Sequence, residues 1–218
     1  MKAIKETPRK VAEYLLQIKA IKLNPQKPFQ WSSGLLSPIY CDNRVILSYP
    51  AIRTYIRQQF VDVVNEYFGK SDVIAGVATG GIAHGVLVAQ ELGLPFIYVR
   101  PEPKKHGLSN AIEGYVEKGQ SVIVIEDLIS TGGSTLKVIE HLKDFGCSIK
   151  GIISIFTYNF KSAEENFKKS KLQVISLSDF DSLIKVALEK SYISEDNFEQ
   201  LKEWHKDPEG WSEIKKNK

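Results

Sequence analysis

Five apolar runs punctuate the chain, at Val73–Val77 and at residues 94–99, 122–125, 149–156 and 172–177. Runs of this length fit strands buried on both faces of a parallel sheet. Between them the apolar positions switch to helical spacing. Ile52, Ile56, Phe60, Val63 and Val64 mark one face of a helix over residues 50–68, which Gly69 stops. Ile82, Val86, Leu87, Ala89 and Gln90 predict a second helix; Leu136, Ile139, His141 and Leu142 predict a third, ending at Phe145-Gly146. A short charged helix is expected over 162–169, and another begins at Ser178-Asp179 with Phe180, Leu183, Ile184, Ala187 and Leu188. The last spans 194–206, with Ser194 as cap and Phe198, Leu201 and Trp204 on its inner face. Strands thus alternate with helices from residue 50 to residue 177. That order predicts an α/β fold with a mostly parallel central sheet flanked by helices.

An earlier helix is predicted over residues 8–20, with Val11, Tyr14, Leu15 and Ile18 on one face, before the breaks at Asn24-Pro25 and Lys27-Pro28. It stands outside the alternation and is assigned to a small N-terminal hood. Residues 29–44 read as a hairpin with a polar end, a turn at Ser33-Gly34 and a strand over Ile39–Cys41. The chain is expected to be a single domain over residues 1–218, with a hood of roughly 1–48 plus the C-terminal helices and a core of roughly 50–177. The lysine-rich residues 215–218 are expected to fray.

Composition narrows the function classes. The hydrophobic share is 43% and the charged share 25%, ordinary for a globular enzyme. Net charge is +3, from 29 basic and 26 acidic residues, too balanced for a dedicated nucleic-acid protein. Cys41 and Cys147 form no CxxC or zinc pattern, and a reducing cytoplasm is the simplest compartment. The first residues lack the apolar run of a signal peptide, and no segment has the length of a membrane span.

The chemistry concentrates behind the run at 122–125, where Glu126 and Asp127 are followed by Ser130-Thr131-Gly132-Gly133-Ser134. A turn between a strand and a helix start offers unpaired backbone N–H groups and the positive end of a helix dipole, which together favour a phosphate. Ser130, Thr131 and Ser134 add hydroxyls. The acidic pair suits a vicinal diol, or a cation that bridges to phosphate. Acid pair and turn together read as a site for a sugar phosphate. Ala78-Thr79-Gly80-Gly81 repeats the small-residue turn after Val73–Val77. His84, behind it, reads as a packing or solvent-facing residue.

The segment Glu126 to Ser134 resembles the phosphoribosyl-pyrophosphate (PRPP) signature of type I phosphoribosyltransferases, in the wording found in orotate phosphoribosyltransferases. The block Phe29 to Arg44 is similar to that family's hood block beside the pyrimidine base, and Arg100, Lys104, His106 and Gly107 resemble its mobile lid. The resemblance implies transfer of a 5-phosphoribosyl group from PRPP to orotate, within pyrimidine (UMP) biosynthesis. It implies Mg2+ held mainly through PRPP, with no dedicated protein metal ligand, and a cytoplasmic homodimer whose lid, residues 100–114, is shared across the interface. It places PRPP on Arg100, Lys104, His106, Glu126, Asp127, Leu128, Ile129, Ser130, Thr131, Gly132, Gly133 and Ser134. Lys104, His106 and Asp127 stand at the reacting atoms, and Ser130 also reaches orotate.

Four positions depart from the family pattern. Ser32 replaces a base-contacting lysine, Gly80 a lysine of the pyrophosphate loop, and Pro101 a lid cation; no arginine follows the strand at 149–156. Lys105 stands near the missing lid cation. Arg44 either pairs with the orotate carboxylate or pairs structurally with Asp42. Three rival readings remain at this level: a relative acting on uracil or a purine, a PRPP-sensing regulator, and a structural α/β protein.

Overall fold

A computed structural model describes residues 2–31, 33–102 and 111–216. Ser32 and the lid residues Lys104, Lys105, His106 and Gly107 lie outside them. In chain order the elements begin with α1 (Lys2–Gln17), β1 (Ile21–Leu23), β2 (Phe29–Gln30), β3 (Leu36–Ser37) and β4 (Ile39–Cys41). A 3-10 turn (Asn43–Ser48) leads to α2 (Pro50–Val63), a π-helical turn (Val64–Phe68), β5 (Val73–Val77), α3 (Gly80–Leu92), β6 (Phe96–Val99) and β7 (Ile112–Glu113). Then come β8 (Ser121–Ile129), α4 (Gly133–Phe145), β9 (Ser148–Thr157), α5 (Lys161–Lys169) and β10 (Val174–Asp179). Three helices end the chain: α6 (Phe180–Glu189), α7 (Glu195–Lys206) and α8 (Pro208–Lys216).

The chain divides into two compact units, Leu47–Leu177 and Met1–Ile46 with Ser178–Lys218. The larger is built on a sheet of order β10-β9-β8-β5-β6-β7. Strands β9, β8, β5 and β6 run parallel, while β7 turns antiparallel at the edge. The apolar runs behave as their composition demands: Val122 to Ile125 are 0% exposed, because helices cover both faces. From β5 the chain moves to β6 on one side, then crosses back to β8 on the other. The order therefore reverses between β5 and β8, and their carboxyl ends open the crevice where such sheets bind ligands.

Helix α3 lies unusually close to this point. A β-carbon at Gly76 would meet the Gly81 carbonyl at 2.8 Å, and one at Gly85 the Phe96 ring at 2.6 Å. Only glycine admits that approach.

Several boundaries differ from the sequence expectation. Strand β8 does not stop before the acidic pair but runs to Ile129, because β9 keeps pairing with it through Glu126↔Ser154, Leu128↔Phe156 and Ile129↔Thr157. Helix α1 begins at Lys2 and ends at Gln17, with Pro8 inside it. Ile112–Glu113 pairs with β6, so the charged loop after Arg100 is not wholly irregular. Lys215 and Lys216 belong to α8 rather than to a frayed tail.

In the smaller unit, β1 pairs with β4 and β2 with β3 as antiparallel ribbons. Trp204 of α7, 1% exposed, packs against Trp31 and Phe180 with ring centroids 5.8 Å away in each case. Helices α6 and α7 are capped by side chains: Asp179 Oδ1 accepts from Ser182 N–H at 2.7 Å, and Ser194 Oγ from Asn197 N–H at 3.3 Å. Helix α8 is fastened to the β2–β3 ribbon and the segment before it. The Leu36 N–H donates to buried Ser212 Oγ at 2.9 Å, and Lys215 Nζ donates to the Pro25 carbonyl at 3.2 Å.

Candidate active site

Two strand-to-helix junctions stand at the carboxyl ends of β5 and β8. The first passes through Ala78 and Thr79, joined by a cis peptide bond, into α3. The second passes through Ser130, Thr131 and Gly132 into α4. Neither helix receives a side-chain cap from its N-cap residue, unlike α6 and α7. The first backbone bond of α4 runs from Leu136 N–H to the Gly132 carbonyl at 3.0 Å. The amides of Gly133, Ser134 and Thr135 precede it and have no intrahelical acceptor. Thr131, Gly133 and Ser134 are exposed and Ser130 is half-buried. A helix start of this kind can receive an anion.

Gly132 shapes that turn. It holds φ +79°, and a β-carbon there would stand 2.7 Å from the Phe167 ring of α5. Both the backbone conformation and the space exclude a side chain.

The acidic pair is not two open carboxylates. Although β8 continues through it, the two carboxyl groups stay within hydrogen-bonding reach of each other. Glu126 is 5% exposed. Its Oε2 accepts from Thr135 Oγ1 at 2.9 Å, and its Oε1 from the Asp127 N–H at 3.0 Å. Burial first, the charge of Asp127 second and the hydrogen bond between the two carboxyl groups third push the Glu126 carboxyl well above its ordinary range; the Asp127 N–H and the Thr135 hydroxyl offset this only in part. Asp127 is half-buried and its carboxyl group lies against Gly80, at the start of α3. Glu126 thus reaches the first turn of α4 and Asp127 the start of α3, while the two carboxyl groups remain hydrogen-bonded to each other. Leu128 is half-buried, while Ile129 is 2% exposed and its carbonyl accepts from Tyr158 N–H at 3.0 Å. The side chain of Ile129 belongs to the core.

Arg100 marks the start of the charged loop. Its N–H donates to the Ala111 carbonyl at 2.9 Å, its Nε lies 3.6 Å from Glu113 Oε1, and its guanidinium sits 5.7 Å from the Tyr98 ring centre. Glu102 pairs with Lys137 of α4, and His141 Nε2 lies 3.3 Å from the Pro101 carbonyl. His84 is 2% exposed, 6.5 Å from Phe60 between ring centres, and packs rather than reaching solvent. In the smaller unit Arg44 forks onto Asp42, Nε to Oδ1 at 2.7 Å and Nη2 to Oδ2 at 2.9 Å. These bonds hold the Asp42 carboxyl below its ordinary range. Of the two readings of Arg44, the structure contains the pair with Asp42.

Three features escape sequence reasoning. Thr135, 1% exposed, is the partner of Glu126; a polar residue on an otherwise apolar helix face is its only signal. Tyr158 and Phe160 stack at 5.3 Å where an arginine is missing, signalled by the alternating aromatics at 156, 158 and 160. The contact of Asp127 with Gly80 leaves no trace in sequence. Among the described residues, no group of three or more His, Cys, Asp or Glu is arranged to hold a metal ion. No described helix is long and apolar enough to cross a membrane.

Comparison with known proteins agrees with this geometry. Residues 44–189 match the phosphoribosyl transferase domain family. The chain is 52% identical over 201 residues to an orotate phosphoribosyltransferase of Porphyromonas gingivalis, covering 92% of this chain and 96% of that protein. It is 47% identical over 203 residues to the protein of the same name from Listeria monocytogenes, covering 93% and 97%. The chain belongs to the orotate phosphoribosyltransferase family. Its fold recurs in the orotate phosphoribosyltransferase of Aeropyrum pernix, with a TM-score of 0.73 at 27% identity over 84% of this chain and 99% of that one. It recurs again in a UMP synthase of Leishmania donovani, TM-score 0.77 at 25% identity, covering 90% of this chain and 42% of that one. Within an orotate phosphoribosyltransferase scaffold, the two uncapped helix starts and the acid pair beside them are therefore the candidate machinery.

Proposed function

We propose that this chain transfers the 5-phosphoribosyl group of PRPP to N1 of orotate, giving orotidine 5′-monophosphate and pyrophosphate in pyrimidine biosynthesis. The observation that carries this reading is the junction itself: an acid-bearing strand end that runs into the uncapped, hydroxyl-rich start of α4. In the reaction the C1′–O bond to pyrophosphate breaks, and its electron pair leaves with the diphosphate. The lone pair of orotate N1 forms the new C1′–N bond, and the N1 proton is released to the departing diphosphate or to water. Positive charge builds on the ribose ring while negative charge builds on the leaving group.

Each part of the site answers one of these demands. The amides and hydroxyls from Ser130 to Ser134 anchor the 5′-phosphate, with Ser130 also facing the base. Asp127 accepts from the ribose hydroxyls and lies near the electron-poor ring. Glu126, buried beside it, orients the strand end through its bond with Thr135. The backbone and hydroxyl of Thr79 take the pyrophosphate. Arg100, Lys104 and His106 stabilise the departing diphosphate, most strongly when the lid excludes water. Orotate is already an anionic nucleophile, so the protein supplies none.

Mg2+ fits this donor set. At the two junctions the ligand oxygens are the Asp127 carboxylate and scattered hydroxyls, too few for an all-protein cage. They suit an ion that keeps waters and takes most of its oxygens from substrate, with Asp127 as the carboxylate that would hold it. When bound, the ion neutralises charge on the diphosphate. We further read the unit Met1–Ile46 with Ser178–Lys218 as the hood, and the working form as a cytoplasmic homodimer that shares residues 100–114.

The test is direct. Protein, Mg2+ and PRPP are mixed with orotate, uracil and hypoxanthine in turn, and the ultraviolet absorbance of each base is followed. Consumption of orotate alone supports the reading; turnover of another base, or of none, refutes it.

A further inference from the structure

Of the turn residues Ser130 to Ser134, only Gly132 is buried. The Phe167 ring of α5 covers it: the three atoms nearest to a β-carbon at Gly132 would all belong to that ring, Cζ among them at 2.8 Å. Gly133 beside it faces open space, with Thr131 Oγ1 the nearest atom at 3.9 Å. Phe167, 6% exposed, joins the apolar cluster that includes Val138 and Ile139 of α4. One cluster thereby holds both the body of α4 and the ring that backs its opening turn.

We propose that Phe167 is a positioning residue, whose ring fixes Gly132 and through it aims the free amides of α4 at the sugar phosphate. The proposal rests on the reading of Ser130 to Ser134 as the seat of the 5′-phosphate. Gly132 links the ring to the seat because its carbonyl takes the first backbone bond of α4, from Leu136 N–H at 3.0 Å. The amides of Gly133, Ser134 and Thr135 lie between these two residues in the chain, so their direction follows from where Gly132 rests. Hydrogen bonds weaken steeply as they bend, and a small shift of Gly132 is felt by every oxygen the amides hold. A shorter side chain at position 167 leaves a void against the turn. Such a site collapses where its walls yield most easily, and an exposed turn yields before a sheet or the body of a helix does. Phe167 itself, buried in the core, touches no substrate and acts through Gly132.

Calorimetry with ribose 5-phosphate and, separately, with pyrophosphate and Mg2+ decides the matter. Phe167→Leu, Phe167→Met and Val122→Ala are compared with the unaltered protein, each kept well below its own melting temperature. Val122 belongs to the same apolar cluster but stands at the far end of β8 from the turn, so its variant shows what a loss of core packing does by itself. Phe167→Leu should bind ribose 5-phosphate about tenfold more weakly, the loss of one bond to a charged group. Pyrophosphate, assigned to the other junction and the charged loop, should bind as before. Phe167→Met, long and adaptable enough to refill the space, should recover most of the ribose 5-phosphate affinity. Val122→Ala should melt earlier and bind both ligands normally. The proposal is overturned if Phe167→Leu keeps its ribose 5-phosphate affinity, if it weakens pyrophosphate equally, if Phe167→Met recovers nothing, or if Val122→Ala weakens ribose 5-phosphate as much. An unaltered protein that leaves ribose 5-phosphate unbound would refute the seat itself, and the role of Phe167 with it.

Discussion

Thr135 Oγ1 donates to Glu126 Oε2 across 2.9 Å, joining the first turn of α4 to the strand that carries the acid pair. Both residues are buried, so water cannot replace the bond if it is lost. Thr135→Val keeps the shape and removes the donor. It should lower stability by about 1–3 kcal/mol, the cost of leaving a buried polar group unsatisfied. Urea unfolding measures this, and Thr135→Ser should recover most of it.

The state of Glu126 predicts a pH dependence. Burial and the neighbouring Asp127 raise its folded-state pKa well above 4.5, so the folded protein holds this proton more tightly than the unfolded chain. The stability it contributes is complete below about pH 4.5 and is lost as pH rises through the raised value. Glu126→Gln cannot ionise. The stability of the unaltered protein minus that of Glu126→Gln should therefore fall as pH rises from about 5. A difference that grows with pH would show that the hydrogen bonds, not burial, govern this carboxyl.

Lys104→Ala tests the lid. Removing one cation from the groups that receive the departing diphosphate should lower turnover at least about tenfold. The melting temperature should not change. Steady-state rates at saturating PRPP and orotate, beside a thermal melt, separate the two effects; equal turnover would remove Lys104 from the machinery.

Helix α8 gives a prediction about stability alone. Ser212 is 0% exposed and accepts the Leu36 N–H. Ser212→Ala leaves that amide without its partner and should cost about 1–2 kcal/mol in urea unfolding. No change would mean that water reaches the ribbon and takes the place of the serine.

Much of the fold is legible because local and tertiary preferences agree. Val73–Val77 forms a strand with the bounds its apolar run predicts, and Ser194 caps the helix it precedes. The misses occur where a neighbour decides. Glu126 and Asp127 read as the end of a strand, since two adjacent acids seldom lie in a core, but pairing with Ser154 and Phe156 on β9 carries β8 past them. Helix α8 has few apolar positions to betray it, with Trp211 buried and Ile214 exposed; Pro208 at its start was the available signal. At the site, the turn from Ser130 to Ser134 is readable because glycine and hydroxyl residues declare it. The placement of Asp127 is not, because its carboxyl lies against the start of a helix distant in the chain.

Gly132 sits at φ +79° with the Phe167 ring where a side chain would grow. The contour of the phosphate turn is thus moulded partly by α5, a helix assigned no chemistry. Swapping Phe167 for a smaller residue would open a void under the loop, yet still not license a larger residue at 132, since the backbone twist would object on its own. Any attempt to reshape this pocket for a different sugar phosphate must therefore rebuild both positions and the turn together, and random single changes at either are expected to be dead ends.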